Sequence, residues 1–192
     1  MRRKENRRAQ KIIVAFIAFI MISSVIGFIW GRDTEQQQKY KEFKFGRTAD
    51  KWHTLINGKR IFFSYFPSEV EGINISSDVI DKLSNKFEID TTSDINDSYA
   101  KGIALSQYEL GDALDFNLGV YLRIGLTANT SYNLPIITCL TATNKIPVIY
   151  FKGSNETIVH LEEDCIVVET DSNENFVRIK DRILYALAGV IG

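Results

Sequence analysis

Residues 12–30 form an apolar stretch, IIVAFIAFIMISSVIGFIW, that contains no charged residue. Neither side of this stretch would carry a polar stripe in a helix, which distinguishes it from an amphipathic core helix. As an α-helix, a stretch of this length would measure about 28 Å, close to the roughly 30 Å hydrocarbon core of a bilayer. The pattern predicts a transmembrane helix over residues 12–30, with the lipid bilayer as its partner.

The residues that flank this stretch predict its orientation. Residues 1–11 contain six basic residues and one acid. Basic residues stay on the cytoplasmic side of a membrane helix, so residues 1–11 are predicted to be a cytoplasmic tail and the C-terminal domain to lie outside the cell membrane. A cleavable signal peptide is the alternative. The bulky Phe28 and Trp30, and the lack of an Ala-x-Ala site, favour an uncleaved signal anchor instead.

Residues 31–41 are mostly polar and show no helical or strand period, which is typical of a short stalk. Residues 42–192 contain no repeat, no low-complexity tract and no second linker. The length of this remainder fits one folded domain.

The domain begins with a β-hairpin pattern, KWHTLINGKRIFFSYF, in which Asn57-Gly58 separates two runs of high β propensity. Asn-Gly is typical of a type I′ turn, and a two-residue turn fixes the register of its strands. In this setting a histidine is expected to pack in the sheet rather than to bind a metal. The predicted pairs are Trp52 with Phe63, His53 with Phe62, Thr54 with Ile61 and Ile56 with Lys59.

Helical and strand patterns follow along the rest of the domain. Helices are predicted in ISSDVIDKLSNK, from about Asp97 to Phe116, and after Ser172. In the last helix Arg178, Lys180 and Arg182 are predicted to face water. Strands are predicted in FEID, LGVYLRIGLT, KIPVIYFKG, ETIVHLE and CIVVET, the last three as an antiparallel meander. The predicted fold class is α+β: one mixed β-sheet with an N-terminal hairpin, a C-terminal meander and helices packed on one face, preceded by the transmembrane helix.

The charge of the domain argues against a nucleic-acid partner. The chain contains 23 Lys and Arg and 24 Asp and Glu, for a formal net charge of −1. The tail over residues 1–11 contributes +5, so the remaining 181 residues carry −6. An acidic domain with no basic stripe is not expected to neutralise phosphates, so no nucleic-acid partner is predicted.

The two cysteines, Cys139 and Cys165, both lie in the predicted exterior domain. Thiols on that side of a membrane tend to oxidise, and two cysteines allow one intramolecular disulfide bond. The alternatives to a disulfide bond are that the cysteines are two free buried thiols, that one is a metal ligand, or that one is a nucleophile. The chain has two histidines and no Cys-x-x-Cys or His-Glu-x-x-His motif, and the acids before Cys165 disfavour a thiolate. We predict no metal site and no cofactor.

The exterior domain also contains four Asn-x-Ser/Thr sequons, the acceptor pattern for N-glycans. All of them fall in predicted turns or near predicted helix starts. The acceptor asparagines are Asn74, Asn96, Asn129 and Asn155.

Two groups of acids are the candidates for chemistry. Glu109 and Asp112, or Asp112 and Asp115, are three residues apart on a predicted helix and can share acid–base work or bind a cation. This spacing is more typical of a solvated helix face. The acidic run over residues 162–164 is interpreted as a polar turn, with a calcium contact as the alternative. No catalytic residue is therefore assigned.

The sequence contains no Gly-rich phosphate loop, Gly-x-Ser-x-Gly elbow or histidine-centred triad. We therefore expect a membrane-anchored, non-enzymatic extracytoplasmic domain that serves as an interaction or structural accessory of the cell envelope, with an envelope protein as partner. A pilin-like filament subunit is one alternative, suggested by Arg7-Arg8-Ala9 and opposed by Lys11, which would lie at the start of the filament helix. An enzyme or cation-binding domain that uses carboxylates is the other.

The order of several segments gives a resemblance. A basic tail and one apolar span are followed by FFSYFPSEVEGI, YAKGIALSQYEL, PIITC, IPVIYFKGSNETIV, DCIVVET and RIKDRILYALAGVIG. This succession resembles a group of small single-span archaeal membrane proteins of unknown function. The resemblance implies that Cys139 and Cys165 correspond to a recurring cysteine pair of that group, and it implies no activity.

Overall fold

The computed structural model describes residues 2–30, 37–129 and 131–192, with the backbone alone for residues 2–9 and 27–30. The chain divides into two compact units, Met1–Gln36 and Gln37–Gly192.

The first unit contains helix α1, Arg2–Trp30, which includes the residues predicted to span the membrane. Within the described residues, no helix is both long and apolar enough to cross a membrane. The predicted transmembrane helix over residues 12–30 therefore gains no support from the structure and stays a prediction. Of the predicted stalk, residues 31–36 lie outside the described residues, and part of the remainder forms a strand of the second unit.

The second unit opens with a four-stranded antiparallel sheet whose strands lie in chain order. Its strands are β1 (Gln38–Tyr40), β2 (Phe43–Thr48), β3 (Lys51–Ile56) and β4 (Lys59–Phe63). All predicted pairs of the β3–β4 hairpin are confirmed, from Ile56 opposite Lys59 to Trp52 opposite Phe63. Asn57 and Gly58 have φ values of 52° and 78°, the positive values that a type I′ turn requires.

A five-stranded sheet follows, with strand order β6-β5-β7-β9-β8. Its strands are β5 (Glu88–Ser93), β6 (Tyr121–Ile124), β7 (Val148–Gly153), β8 (Ile158–Glu162) and β9 (Cys165–Thr170). Strands β6, β5, β7 and β9 are parallel, and β8 pairs antiparallel with the outer edge of β9. The protein is thus α+β with a mixed sheet, as predicted.

Two parts of the predicted topology are wrong. The domain has two sheets rather than one, and β7, β8 and β9 do not form a meander because β7 pairs directly with β9. The β propensity of these segments identified strands correctly, but propensity does not determine which strands pair. Since the buried runs of β7 and β9 are nearly continuous in apolar residues, they suit the interior of a parallel sheet.

Four helices and one 3₁₀ turn complete this unit: α2 (Pro67–Val70), α3 (Ser77–Leu83), α4 (Ala100–Leu118), the 3₁₀ turn Cys139–Thr141 and α5 (Asn173–Leu187). Ser172 caps α5 as predicted, since its side chain accepts a hydrogen bond from the Asn175 N–H. Helix α4 has Tyr99 as its N-cap and no side-chain cap; the Asp97 Oδ1 accepts the Tyr99 N–H at 2.8 Å in the turn that precedes the helix.

Helix α5 contacts both sheets. Tyr185 stacks on Phe63 of the four-stranded sheet, with ring centroids 3.9 Å apart, and Phe176 meets Phe151 of the five-stranded sheet at 6.1 Å. Residues 179–185 of α5 are all buried. The expectation that Lys180 and Arg182 face water is therefore wrong. Their positions would face solvent on a helix that covers one sheet, but α5 is covered on both sides.

Candidate functional site: a groove between β4 and α4

A groove of about 450 Å³ lies between the end of the four-stranded sheet and helix α4. This volume falls within the range of small-ligand and peptide side-chain sites. Its lining residues are Lys51, Arg60, Phe62, Tyr108, Glu109, Asp112, Ala113, Phe116 and Asn117.

The walls of the groove follow from local periodicity. In β4 the two-residue period buries Ile61 and turns Arg60 and Phe62 to the outer face of the sheet. On α4, Tyr108, Asp112 and Phe116 are four residues apart and share one line of the helix surface. The rings remain uncovered: Phe62 is 48% exposed, and Tyr108 and Phe116 are each 69% exposed.

The hairpin geometry also supplies main-chain polar groups. In a two-residue hairpin the residues next to the turn, here Ile56 and Lys59, exchange hydrogen bonds, and every second pair does the same. Arg60 and Phe62 fall at the other positions, so their N–H and C=O groups point to the open edge of β4. Because β4 carries aromatic residues on both faces, its sequence predicts a central or covered strand. It lies instead at the sheet edge.

A charged network forms the floor of the groove. The Lys51 Nζ lies 2.5 Å from the Glu109 Oε1 and donates to the Ser64 Oγ at 2.8 Å. The Lys180 Nζ lies 2.7 Å from the Glu109 Oε2. Burial raises the pKa of Glu109, but the charges and hydrogen bonds of Lys180 and Lys51 outweigh burial and place this pKa below its ordinary value. Glu109 is thus an ionised carboxylate that two lysines already neutralise.

The network continues into the core through α5. The Lys180 Nζ lies 2.5 Å from the Asp181 Oδ1, and both side chains are almost completely buried. The other Asp181 oxygen accepts the N–H groups of Ser64 and Tyr65 at 2.8 and 2.7 Å. Burial raises the pKa of the Asp181 carboxyl, although Lys180 and these two donors oppose the shift. Polar groups are buried here with their partners, as burial requires, and they fasten α5 to the end of β4.

This geometry separates the carboxylates proposed from the sequence. Glu109 points to the two lysines, whereas Asp112 is exposed on the groove wall. Since a carboxylate held between two ammonium groups is a poor proton carrier and a poor cation ligand, the pair does not form an acid–base dyad. Throughout the described ranges, no group of three or more His, Cys, Asp or Glu residues is placed to hold a metal ion.

Beside the groove, the outer face of the four-stranded sheet is basic. Lys39 on β1 is paired with Lys44 on β2, and Leu55 on β3 is paired with Arg60 on β4. All four side chains are exposed. The expectation that the exterior domain has no basic stripe is therefore wrong, because the net charge of the whole domain concealed this face. We name it the basic face, defined by Lys39, Lys44, Leu55 and Arg60.

The place where open parallel sheets usually bind ligands is already filled. In such sheets the carboxyl ends of the strands surround a crevice where the strand order reverses, here between β5 and β7. The Asp97 carboxylate occupies this position and accepts the N–H groups of Tyr99 and Gly153 at 2.8 and 2.7 Å. A Cβ on Gly153 would lie 2.8 Å from the Tyr99 ring. We therefore do not place the functional site at this end of the sheet.

The predicted disulfide bond is confirmed. The Cys139 and Cys165 sulfurs are 2.04 Å apart, and the bond joins the long β6–β7 connection to β9. Cys165 packs there with Ile137, Val148 and Val167 on the face of the five-stranded sheet that lies opposite α5. The cystine therefore fastens a connection whose described residues include one short 3₁₀ turn and one isolated β-bridge, between Leu126 and Ile136.

The remaining candidates from the sequence lie outside the groove. The sequon asparagines Asn74, Asn96, Asn129 and Asn155 are all exposed, and glycosylation at them stays a prediction. In the acidic run over residues 162–164, Asp164 pairs with Lys82 at 2.5 Å and Glu162 with His160 at 3.0 Å. His53 is buried opposite Phe62, as expected.

Comparison of this chain with protein-family models, with curated proteins and with solved structures finds no match. The resemblance to small archaeal membrane proteins stays a prediction. The groove and the basic face are therefore interpreted from their own geometry.

Proposed function

We propose that the protein is a membrane-anchored domain on the outer side of the cell membrane that binds an extended apolar segment of an envelope protein in the groove between β4 and α4. It acts as an interaction accessory and not as an enzyme. The observation that carries this proposal is the row of exposed aromatic side chains along the groove.

The anchoring part of the proposal is supported by the sequence. Residues 12–30 are free of charge and follow six basic residues, which is the pattern of a signal anchor with a cytoplasmic N-terminus. The disulfide bond in the second unit agrees with an oxidising compartment outside the cytoplasm.

The groove suits a peptide for three reasons. Its aromatic walls offer apolar contact area, and aromatic side chains dominate the energetics of protein interfaces. The open edge of β4 offers the N–H and C=O groups of Arg60 and Phe62 to an extended main chain. Arg60 and Asp112 add one charge of each sign at the rim, which gives a means of fixing the direction of the bound segment.

The floor of the groove supports binding rather than catalysis. Glu109 is neutralised by Lys51 and Lys180, which place its pKa below the ordinary value, whereas a general acid requires a raised pKa. The same ion pairs hold the helix and the hairpin at a fixed distance. A groove whose walls are already fixed loses little entropy when a ligand binds.

Site-specific photocrosslinking in native membranes tests this proposal. A benzoylphenylalanine residue is introduced as Tyr108→benzoylphenylalanine in the full chain, and the crosslinked partner segment is sequenced by mass spectrometry. We expect one defined apolar segment, with the crosslink reduced about tenfold or more by Phe116→Ala, because a central aromatic contact dominates such interfaces.

Phe87 supplies the matched control because it is 88% exposed and lies outside the groove. Both Phe87→benzoylphenylalanine as a probe and Phe87→Ala as a variant should leave the groove crosslink unaffected. Equal capture of the same segment from positions 87 and 108, or a crosslink insensitive to Phe116→Ala, would contradict binding in the groove.

A further inference from the structure

Charge is distributed very unevenly within the second unit. Residues 37–63, which contain the four-stranded sheet, have seven basic residues and two acids. Residues 64–192 have nine basic residues and 19 acids. The sheet segment therefore carries +5 and the rest of the unit −10, so an acidic domain presents one basic element.

The strand register brings part of this charge to one surface. Lys39 and Lys44 are direct cross-strand partners, as are Leu55 and Arg60. The two pairs share one row across the sheet, because Phe45 and Thr54, the neighbours of Lys44 and Leu55, are also partners. The positions of β1–β4 on this outer side carry no acid. Like charges at directly opposite positions are unfavourable, so the row is not explained by the stability of the sheet.

The cations of the basic face are available to a partner. Lys39, Lys44 and Arg60 form no ion pair within residues 37–129 and 131–192. Leu55 stands among them with 64% of its side chain exposed, and Phe62 beside Arg60 is 48% exposed. Apolar side chains bordered by basic residues bind an anionic lipid surface through buried apolar area and electrostatic attraction.

We infer that the basic face docks on the anionic lipid surface of the bilayer that holds the anchor, with Leu55 inserted between headgroups. This inference rests on the proposed anchoring. In the anchored chain only residues 31–37 separate Trp30 from strand β1, and seven residues reach at most about 25 Å when extended. A bilayer is therefore always present at a high effective concentration near this sheet, which no soluble polyanion would be.

Photocrosslinking to lipid tests the docking. The full chain with Leu55→benzoylphenylalanine is reconstituted into nanodiscs of neutral phosphatidylcholine, or of phosphatidylcholine with about 30% phosphatidylglycerol. We expect lipid adducts at position 55 to be about tenfold more abundant in the anionic discs, and to fall with rising salt as surface charge is screened. The probe at Phe87→benzoylphenylalanine should give few adducts in either disc.

Charge-reversal variants separate the basic face from net charge. Lys39→Glu with Lys44→Glu should reduce the anionic-disc adducts at position 55 to the neutral-disc level. Lys101→Glu with Lys145→Glu changes the net charge equally at two exposed lysines elsewhere, and it should leave the adducts unchanged.

The outcomes distinguish docking from anchoring. Retention of the chain in the disc with no charge-dependent adduct at position 55 overturns the docking and leaves the anchor and groove proposals standing. Failure of the chain to enter either disc overturns anchoring and docking together. Adducts at position 55 with a second copy, an acidic protein or a nucleic acid, in place of lipid, would also overturn the assignment of this face.

Discussion

The two sheets of the domain are organised by different kinds of interaction. The four-stranded sheet is a simple up-and-down arrangement, in which each strand pairs with its neighbour in the chain across a short turn. In the five-stranded sheet, β5 pairs with β7 across a segment that contains α4 and β6. The first sheet is therefore specified by turns, whereas the second depends on contacts between distant residues.

This difference shows in how each sheet is held. A type I′ turn at Asn57 and Gly58 sets the hairpin register by itself. The five-stranded sheet needs the burial of α5 on one side and a disulfide bond on the other. Since α5 also packs on the hairpin through Tyr185, the helix unites the two sheets in one core.

The largest expected loss of stability comes from replacing Lys180. This buried cation of α5 pairs with Glu109 on α4 and with Asp181 on α5. Lys180→Met leaves Asp181 in the core without its ammonium partner, and removal of one member of a buried pair costs about 3 to 5 kcal/mol of unfolding free energy. Urea unfolding of the full chain in detergent measures this loss. Lys44→Met, on the basic face, is the control and should change stability by less than about 0.5 kcal/mol. Equal losses would show that Lys180 is not desolvated.

A slightly smaller effect is expected at the five-stranded sheet. Replacement of Cys139 and Cys165 by alanine removes a bond with a sequence separation of 26 residues. In the chain-entropy model this lowers the free energy of unfolding by about 3.5 kcal/mol. Unfolding in the presence of a reductant should lower the stability of the wild type to that of the variant and leave the variant unchanged. No response of the wild type to reduction would contradict a stabilising cystine.

The smallest effect is expected at the hairpin turn. Gly58 has a φ of +78°, and a side chain in this region costs about 1 to 2 kcal/mol. Gly58→Ala should lower the melting temperature accordingly, because the turn alone is strained. Gly72→Ala is the matched control, since an added Cβ there meets no atom within 4 Å. A larger loss at Gly72 than at Gly58 would refute the type I′ assignment.

The features that the sequence predicted correctly depend on neighbouring residues. The Asn57-Gly58 dipeptide determined the pairs from Ile56 to Trp52, and Ser172 marked the start of α5. The disulfide bond followed from the presence of two cysteines on the same side of the predicted membrane span. Each of these conclusions needs only local chemistry or a count, so a single sequence is sufficient.

The features that the sequence did not predict depend on contacts with a second element, which packs on the opposite side of a helix. Lys180 was predicted to face solvent because a helix with one apolar stripe usually covers one sheet. The local pattern does not indicate that a second sheet packs on the other side of α5. Glu109 and Asp112 share a helix, yet only contact with Lys51 and Lys180 shows that Glu109 is neutralised. The basic face was within reach of the sequence, since a charge sum over residues 37–63 reveals it.

The position of α5 has a consequence for biogenesis. This helix follows the nine strands found among the described residues, yet it supplies the apolar filling between both sheets. Before synthesis passes Leu187, each sheet can form only with its inner face open to water. The apolar core between the two sheets is therefore completed late in synthesis, when α5 packs against both inner faces.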